Sequence, residues 1–187
     1  MHDLDMQALA LAYGGAHGAW SRTMLAFTIV GSGWSALLVV PLLFRNRTQT
    51  FAQALALGIV TQAIWTWAVK HAVGRVRPWI ALGYPAPYGA PHDGSFPSGH
   101  ASGSFCVAAF LVVALPAAWP APAHAPTSAW RARLVGAGAV AIAVLIGLSR
   151  VYLGAHFPSD VIAGALMGAC FGGAAGGLYR ARRRAAG

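Results

Sequence analysis

Charge is what this 187-residue chain has least of. Charged residues make up 9% of it, against roughly 25% in a typical soluble domain. Only four residues are acidic, and Lys70 is the single lysine beside twelve arginines. With 57% hydrophobic residues, this scarcity argues against a water-soluble domain and for an integral membrane protein. The net charge of +9 lacks the one-sided basic face that nucleic acid needs, because its residues fall in short clusters between apolar runs. Membrane lipids, not nucleic acid, are the expected surroundings. The two cysteines, Cys106 and Cys170, both lie in apolar stretches. Helix starts near Ser98 and His156 would put them about 12 and 21 Å deep, beyond the roughly 7 Å reach of a disulfide. Two free, buried thiols are expected. No signal peptide is expected either, since Asp3 and Asp5 stand where a basic leader would begin.

Long apolar runs are abundant. Residues 1–20 are too broken to cross a bilayer and read as an interfacial helix. Spans are predicted over 23–44, 50–73, 98–119, 134–152 and 157–179, with loops over 74–97 and 120–130. The expected fold is therefore an all-α integral membrane protein, a bundle of about five transmembrane helices plus the N-terminal interfacial helix, in a single domain over 1–187. Arg45, Arg47, Arg131, Arg133 and the four arginines of the 180–184 tail would share one side of the membrane. Arg22, Lys70, Arg75, Arg77 and Arg150 would share the other. The richer side should be cytoplasmic, which leaves the second group on the external face. Gly164, Gly168, Gly172 and Gly176, four apart, form a small-residue stripe for close helix packing within the bundle, with a homodimer face as its second use.

Three short motifs fall on that external face. Lys70 is followed six residues later by Arg77-Pro78. Phe96-Pro97-Ser98-Gly99-His100 opens the third predicted span. Pro97 suits a first helical turn, and the free N–H groups of Ser98, Gly99 and His100 would then face an anion. Ser149-Arg150 closes the fourth predicted span, and His156 and Asp160 follow at the start of the fifth.

Lys70, Arg77 and Arg150 converge at one depth, and four acidic residues cannot neutralise them. A ligand with several anionic oxygens, such as a phosphate, would. If a helix carries His156 and Asp160 four apart, they share a face. The carboxylate would then orient one ring nitrogen and leave the other nucleophilic. His100 is placed to protonate a leaving oxygen. Each residue alone has a plainer reading, as a snorkelling lysine, a headgroup-binding arginine or a helix-start cap. Ionisable groups together at one membrane face are costly and usually functional. His71, Arg75, His92 and Asp93 have no assigned role beyond a solvated or supporting one. No metal-ligand spacing stands out, and cationic surroundings disfavour a divalent ion.

These motifs together resemble the signature of the type-2 phosphatidic acid phosphatase superfamily: Lys-x6-Arg-Pro, Pro-Ser-Gly-His and Ser-Arg-x5-His-x3-Asp. All three parts stand within residues 70–160. The apolar spans favour the membrane branch over the soluble haloperoxidases and acid phosphatases that share the pattern. The resemblance implies a metal-independent lipid phosphatase, needing no cofactor, that works through a phosphohistidine. It implies His156 as nucleophile, Asp160 as its partner and His100 as general acid, with Lys70, Arg77, Ser98, Gly99 and Arg150 holding the phosphate. Five spans rather than six resemble the short bacterial members, which implies a multi-pass protein of the bacterial inner membrane. Undecaprenyl pyrophosphate is the first substrate choice. Phosphatidylglycerophosphate, phosphatidic acid and lipid A phosphates are the others. A non-enzymatic anion or lipid transporter is the competing class, but transport needs no aligned His-x3-Asp pair and no inverted repeat is evident.

Overall fold

The structure, a computed structural model, describes residues 2–14, 20–33, 37, 39–87, 93–119 and 127–185. Eight helices occupy most of them, and no strand occurs among the described residues. They are α1 (His2–Ala12), α2 (Ser21–Val30), α3 (Val40–Leu43), α4 (Gln49–Val73), α5 (Pro78–Ala81), α6 (Gly99–Ala118), α7 (Thr127–Tyr152) and α8 (Pro158–Ala185). Four of the described segments, those of α4, α6, α7 and α8, are long and apolar enough to cross a membrane. With their large apolar side chains turned outward, among them Ile64, Trp67, Leu148 and Leu166, they make a multi-pass membrane protein.

The predicted first span, 23–44, is not one continuous helix. α2 stops at Val30, where Gly31 caps it and Ser32 turns its hydroxyl back onto the Ile29 carbonyl at 2.6 Å. The chain resumes as α3 against α4. α2 packs on α7 close enough that a Cβ on Gly31 would overlap Ile146. Hydropathy sees an unbroken apolar run there, while the glycine pair breaks the backbone. Residues 34–36 and 38 of that span lie outside the described residues, as do 88–92 and most of the Pro/Ala-rich loop at 120–126.

α6 and α8 form the centre of the bundle, and the glycine stripe is the reason. A Cβ on Gly164, Gly168 or Gly172 would overlap the backbone of α6 at Ser98, Ser102 or Cys106. The two backbones therefore touch, as small residues allow between membrane helices. The stripe is used up inside the bundle and is not a free dimer face. Toward the arginine-rich end, Phe51 meets Phe110 and Tyr179 edge to face, over a core with Ala54, Leu55, Ala114 and Ala175. Cys106 is buried in the same bundle, but Cys170 is exposed on the outer side of α8, which corrects the expectation of two buried thiols.

The candidate active site

Five chain segments meet at the end of the bundle opposite the arginine tail. α4 ends there because Gly74 adopts φ +59°, a left-handed cap, and its N–H closes on the Lys70 carbonyl at 3.0 Å. The helix therefore does not run on from Lys70 to Arg77, and the two residues converge through a turn. Arg77 is extended and caps α5, a short helix inside the predicted 74–97 loop. α7 ends in a second left-handed residue, Gly154 at φ +67°. The turn folds back so that the Ala155 and His156 N–H groups reach the Arg150 carbonyl at 2.9 and 3.2 Å. α8 then starts with Pro158 in its first turn. Its Asp160 carboxylate reaches back to the Phe157 N–H at 2.9 Å, half of a capping box.

The three predicted cations are all buried here: Lys70 is 7% exposed, Arg77 2% and Arg150 2%. Arg77 Nη1 donates to the Ala155 carbonyl at 3.0 Å and to His156 Nε2 at 3.1 Å. Its Nη2 meets the Asp93 carboxylate at 2.6 Å, and Lys70 Nζ meets the other Asp93 oxygen at 3.2 Å. Asp93, half-exposed, thus lies across the two cations with an anionic group where a substrate oxygen could sit. The surrounding cations hold its carboxyl below the usual carboxylate range although partial burial opposes this. Among the described residues Arg150 faces no carboxylate: its Nη1 reaches only the Thr28 hydroxyl at 3.3 Å, and its buried Nε has no partner. An orphaned guanidinium donor in a buried site is a ready anion contact.

His156 is 1% exposed. An arginine has only donors, so Arg77 at Nε2 identifies that nitrogen as the one carrying the lone pair. The proton is then on Nδ1, facing Ser95 Oγ at 3.4 Å and Asp160 Oδ2 at 3.6 Å. Burial pushes the imidazole down to about 3, against the opposite pull of Asp160, so the ring is neutral near pH 7. At 3.6 Å the separation is too long for a direct hydrogen bond between Asp160 and the ring. Ser95 bridges the gap, donating to Asp160 Oδ2 at 2.5 Å. Arg75 Nη1 holds the other carboxylate oxygen at 2.6 Å.

The Pro97–His100 motif needs one correction. Ser98 is the N-cap and Pro97 lies outside the helix. The Ser98 N–H is not free, because it donates to the Asp160 carbonyl at 2.9 Å and ties α6 to α8. Its buried hydroxyl caps the Ala101 N–H at 3.5 Å. Gly99 and His100 form the first turn of α6 and line an apolar cavity of about 650 Å³. His100 lies within electrostatic range of Arg150, His156, Arg77 and Lys70.

The structure thus gathers Lys70, Arg77, Arg150, His156 and Asp160 around one centre, with His100 in electrostatic range of it, Ser98 tied to the Asp160 carbonyl, and Gly99 on the cavity side of the α6 start. Sequence reasoning missed Ser95, Thr28 and Asp5, and gave Arg75 and Asp93 no role. Scarcity was the signal: the four acidic residues are Asp3, Asp5, Asp93 and Asp160, and three of them meet at this site. His71 turns away, its ring tilted at 43° against that of Trp67 and bonded to the Trp67 carbonyl at 2.8 Å, and His92 lies outside the described residues.

Comparison with known proteins bears on the same elements. The profile of the PAP2 superfamily matches residues 50–184, from α4 to α8. Phosphatidylglycerophosphatase B of Bacillus subtilis is 32% identical over 155 residues, covering 81% of this chain and 64% of that protein. The putative undecaprenyl-diphosphatase YbjG of Escherichia coli is 31% identical over 116 residues, covering 61% of this chain and 50% of that protein. The chain thus spans half to just under two thirds of the length of these curated relatives. The crystal structure of the transmembrane PAP2-type phosphatidylglycerolphosphate phosphatase of Bacillus subtilis superposes with a TM-score of 0.77 at 27% identity, covering 95% of this chain and 85% of that one. A matched profile over most of the chain, and a shared helical arrangement carrying the three motifs, make this protein a member of the PAP2 superfamily.

Proposed function

We propose that this chain, a single domain, is a lipid phosphatase that hydrolyses a phosphate ester or pyrophosphate through a phosphohistidine. The observation that carries the reading is the state of His156: a neutral, fully buried imidazole whose Nε2 lone pair faces the buried cations while Nδ1 faces a carboxylate. Substrate oxygens take the place of Asp93 on Lys70 and Arg77 and also engage the free Arg150 donor. Nε2 attacks phosphorus, and the positive ring that results is stabilised by Asp160. His100 protonates the leaving lipid oxygen. Water then cleaves the phosphohistidine and regenerates Nε2, releasing inorganic phosphate. A transporter would use the cations but has no need of this ring orientation.

The apolar cavity supports a lipid substrate, because it runs from His100 between Leu55, Val107 and Ile146 to Val30. Undecaprenyl pyrophosphate remains the first choice of substrate, since an external site is where that carrier would be dephosphorylated in a bacterial inner membrane. The more extensive match to a phosphatidylglycerophosphatase favours phosphatidylglycerophosphate as the second reading.

The test is release of inorganic phosphate from a panel of lipid phosphates by the purified protein in detergent. Activity is expected to persist in EDTA and to be inhibited by vanadate. His156→Ala should abolish it. His100→Ala should lose on the order of 10²–10⁴-fold on a lipid phosphate but much less on para-nitrophenyl phosphate, whose leaving group needs little acid help. Loss of activity on chelation, or a phosphoenzyme trapped in His156→Ala, would overturn the mechanism.

A further inference from the structure

α1 carries a carboxylate into the site from outside the family motifs. Asp5 is 6% exposed. Its Oδ1 accepts the Ser159 N–H at 2.9 Å, and its Oδ2 accepts the Ser159 hydroxyl at 2.5 Å. The same Oδ2 meets Arg75 Nη2 at 2.8 Å. The other arm of that guanidinium, Nη1, meets Asp160 Oδ1 at 2.6 Å and Ser159 Oγ at 2.7 Å. The Arg75 plane is held from a further side by the Phe157 ring, 4.1 Å below it. One rigid fork therefore spans two carboxylates, Asp5 on α1 and Asp160 on α8.

Asp160 is fully buried and needs a cation to remain charged. Lys70 and Arg77 are paired with Asp93, so Arg75 is the cation that meets it directly. A guanidinium pulled by one carboxylate alone would settle bidentately on it. Asp5 prevents this by taking the second arm, so Arg75 grips only Oδ1 and Asp160 Oδ2 stays turned toward Ser95 and His156. We infer that Asp5 and Arg75 form a positioning relay through which the docked N-terminal helix fixes the Asp160 carboxylate against His156 Nδ1. The relay rests on the reading of His156 as nucleophile. Neither Asp5 nor Arg75 touches the substrate.

The relay predicts a loss in turnover without a loss in binding. In the full-length protein Asp5→Asn keeps the shape of the side chain and removes its charge. It should lower kcat about 10–100-fold, the range typical of partners one step behind a reacting group, with KM within about twofold. Arg75→Lys keeps the charge but cannot span both carboxylates, and should lose as much. Because both act through one contact, Asp5→Asn combined with Arg75→Lys should be no worse than the poorer single variant. The ring-nitrogen ¹⁵N signals of His156, assigned by their disappearance in His156→Gln, should shift in Asp5→Asn. An active wild type with kcat and His156 signals unchanged in Asp5→Asn overturns the relay, as does a loss confined to KM or multiplicative losses in the double variant. If the wild type releases no phosphate, the phosphatase reading fails, and the His156 signals alone then decide whether the relay stands.

Discussion

His156 is a neutral base held in a place where protonation is unfavourable, and that has a measurable consequence for stability. Its ordinary value of 6.5 falls to about 3 in the fold. Below pH 6.5 the unfolded chain binds a proton on this ring that the folded chain refuses until about pH 3. Stability is therefore complete above the unfolded value and is lost as pH falls from 6.5 toward 3. At pH 5 the loss amounts to about 2 kcal/mol. His156→Gln removes the titrating group, so the thermal midpoint of the variant should fall less than that of the wild type between pH 7 and pH 5. Parallel falls would mean that the fold leaves the imidazole as easily protonated as it is in the unfolded chain. The identity of this residue was legible from the three-residue spacing to Asp160 and from the motif, and so were Lys70, Arg77 and Arg150. Ser95, Thr28 and Asp5 were not. They are ordinary polar residues whose meaning comes from folding, which brings Asp5 to Ser159 across 154 positions.

Among the helices, the contact between α6 and α8 positions the chemistry, because it fixes Ser98 against Asp160 and so the start of one helix against the start of the other. Gly168 lies on the touching side, where a Cβ would overlap the Ser102 carbonyl, whereas Gly173 has open space around it. Gly168→Ala should lower stability by about 3 kcal/mol, the upper end of overpacking costs, and reduce activity with it. Gly173→Ala should be neutral in both, or slightly stabilising through helix propensity. Thermal midpoints and phosphate release of the two variants check this, and equal behaviour would mean that α6 and α8 do not touch along the stripe. The stripe itself was legible as a repeat of four, and the helix starts expected near Ser98 and His156 fall within two residues of the observed starts of α6 and α8 at Gly99 and Pro158. What hydropathy concealed was the break after Val30, since Gly31 and Gly33 interrupt the backbone without lowering the apolar content. It also concealed the exposure of Cys170, because a side facing lipid is as apolar as one facing the core.

For the whole molecule the decisive question is which face of the membrane carries the site. α4 and α7 run toward the site and end there at Lys70 and Arg150, while α6 and α8 start there and run away. Gln49, Arg131 and the Arg180–Arg184 tail consequently lie toward the opposite end, together with Arg45 and Arg47. Three of the cations at the site end are buried, Lys70 and Arg77 against Asp93 and Arg150 without a carboxylate among the described residues. They are therefore poor topological anchors. The exposed arginines of the tail are free to serve as anchors, and excess basic residues near span ends stay in the cytoplasm. The site should then face outward. A cysteine placed at exposed Ala86, in a background where Cys106 and Cys170 are serine, should react with a membrane-impermeant maleimide on intact cells. A cysteine at exposed Ala185 should react only after the cells are opened. The reverse pattern would place the site in the cytoplasm. It would remove the reason for preferring undecaprenyl pyrophosphate, while leaving the phosphatase chemistry intact, since His156, Arg77 and Asp160 keep the same geometry on either side of the membrane.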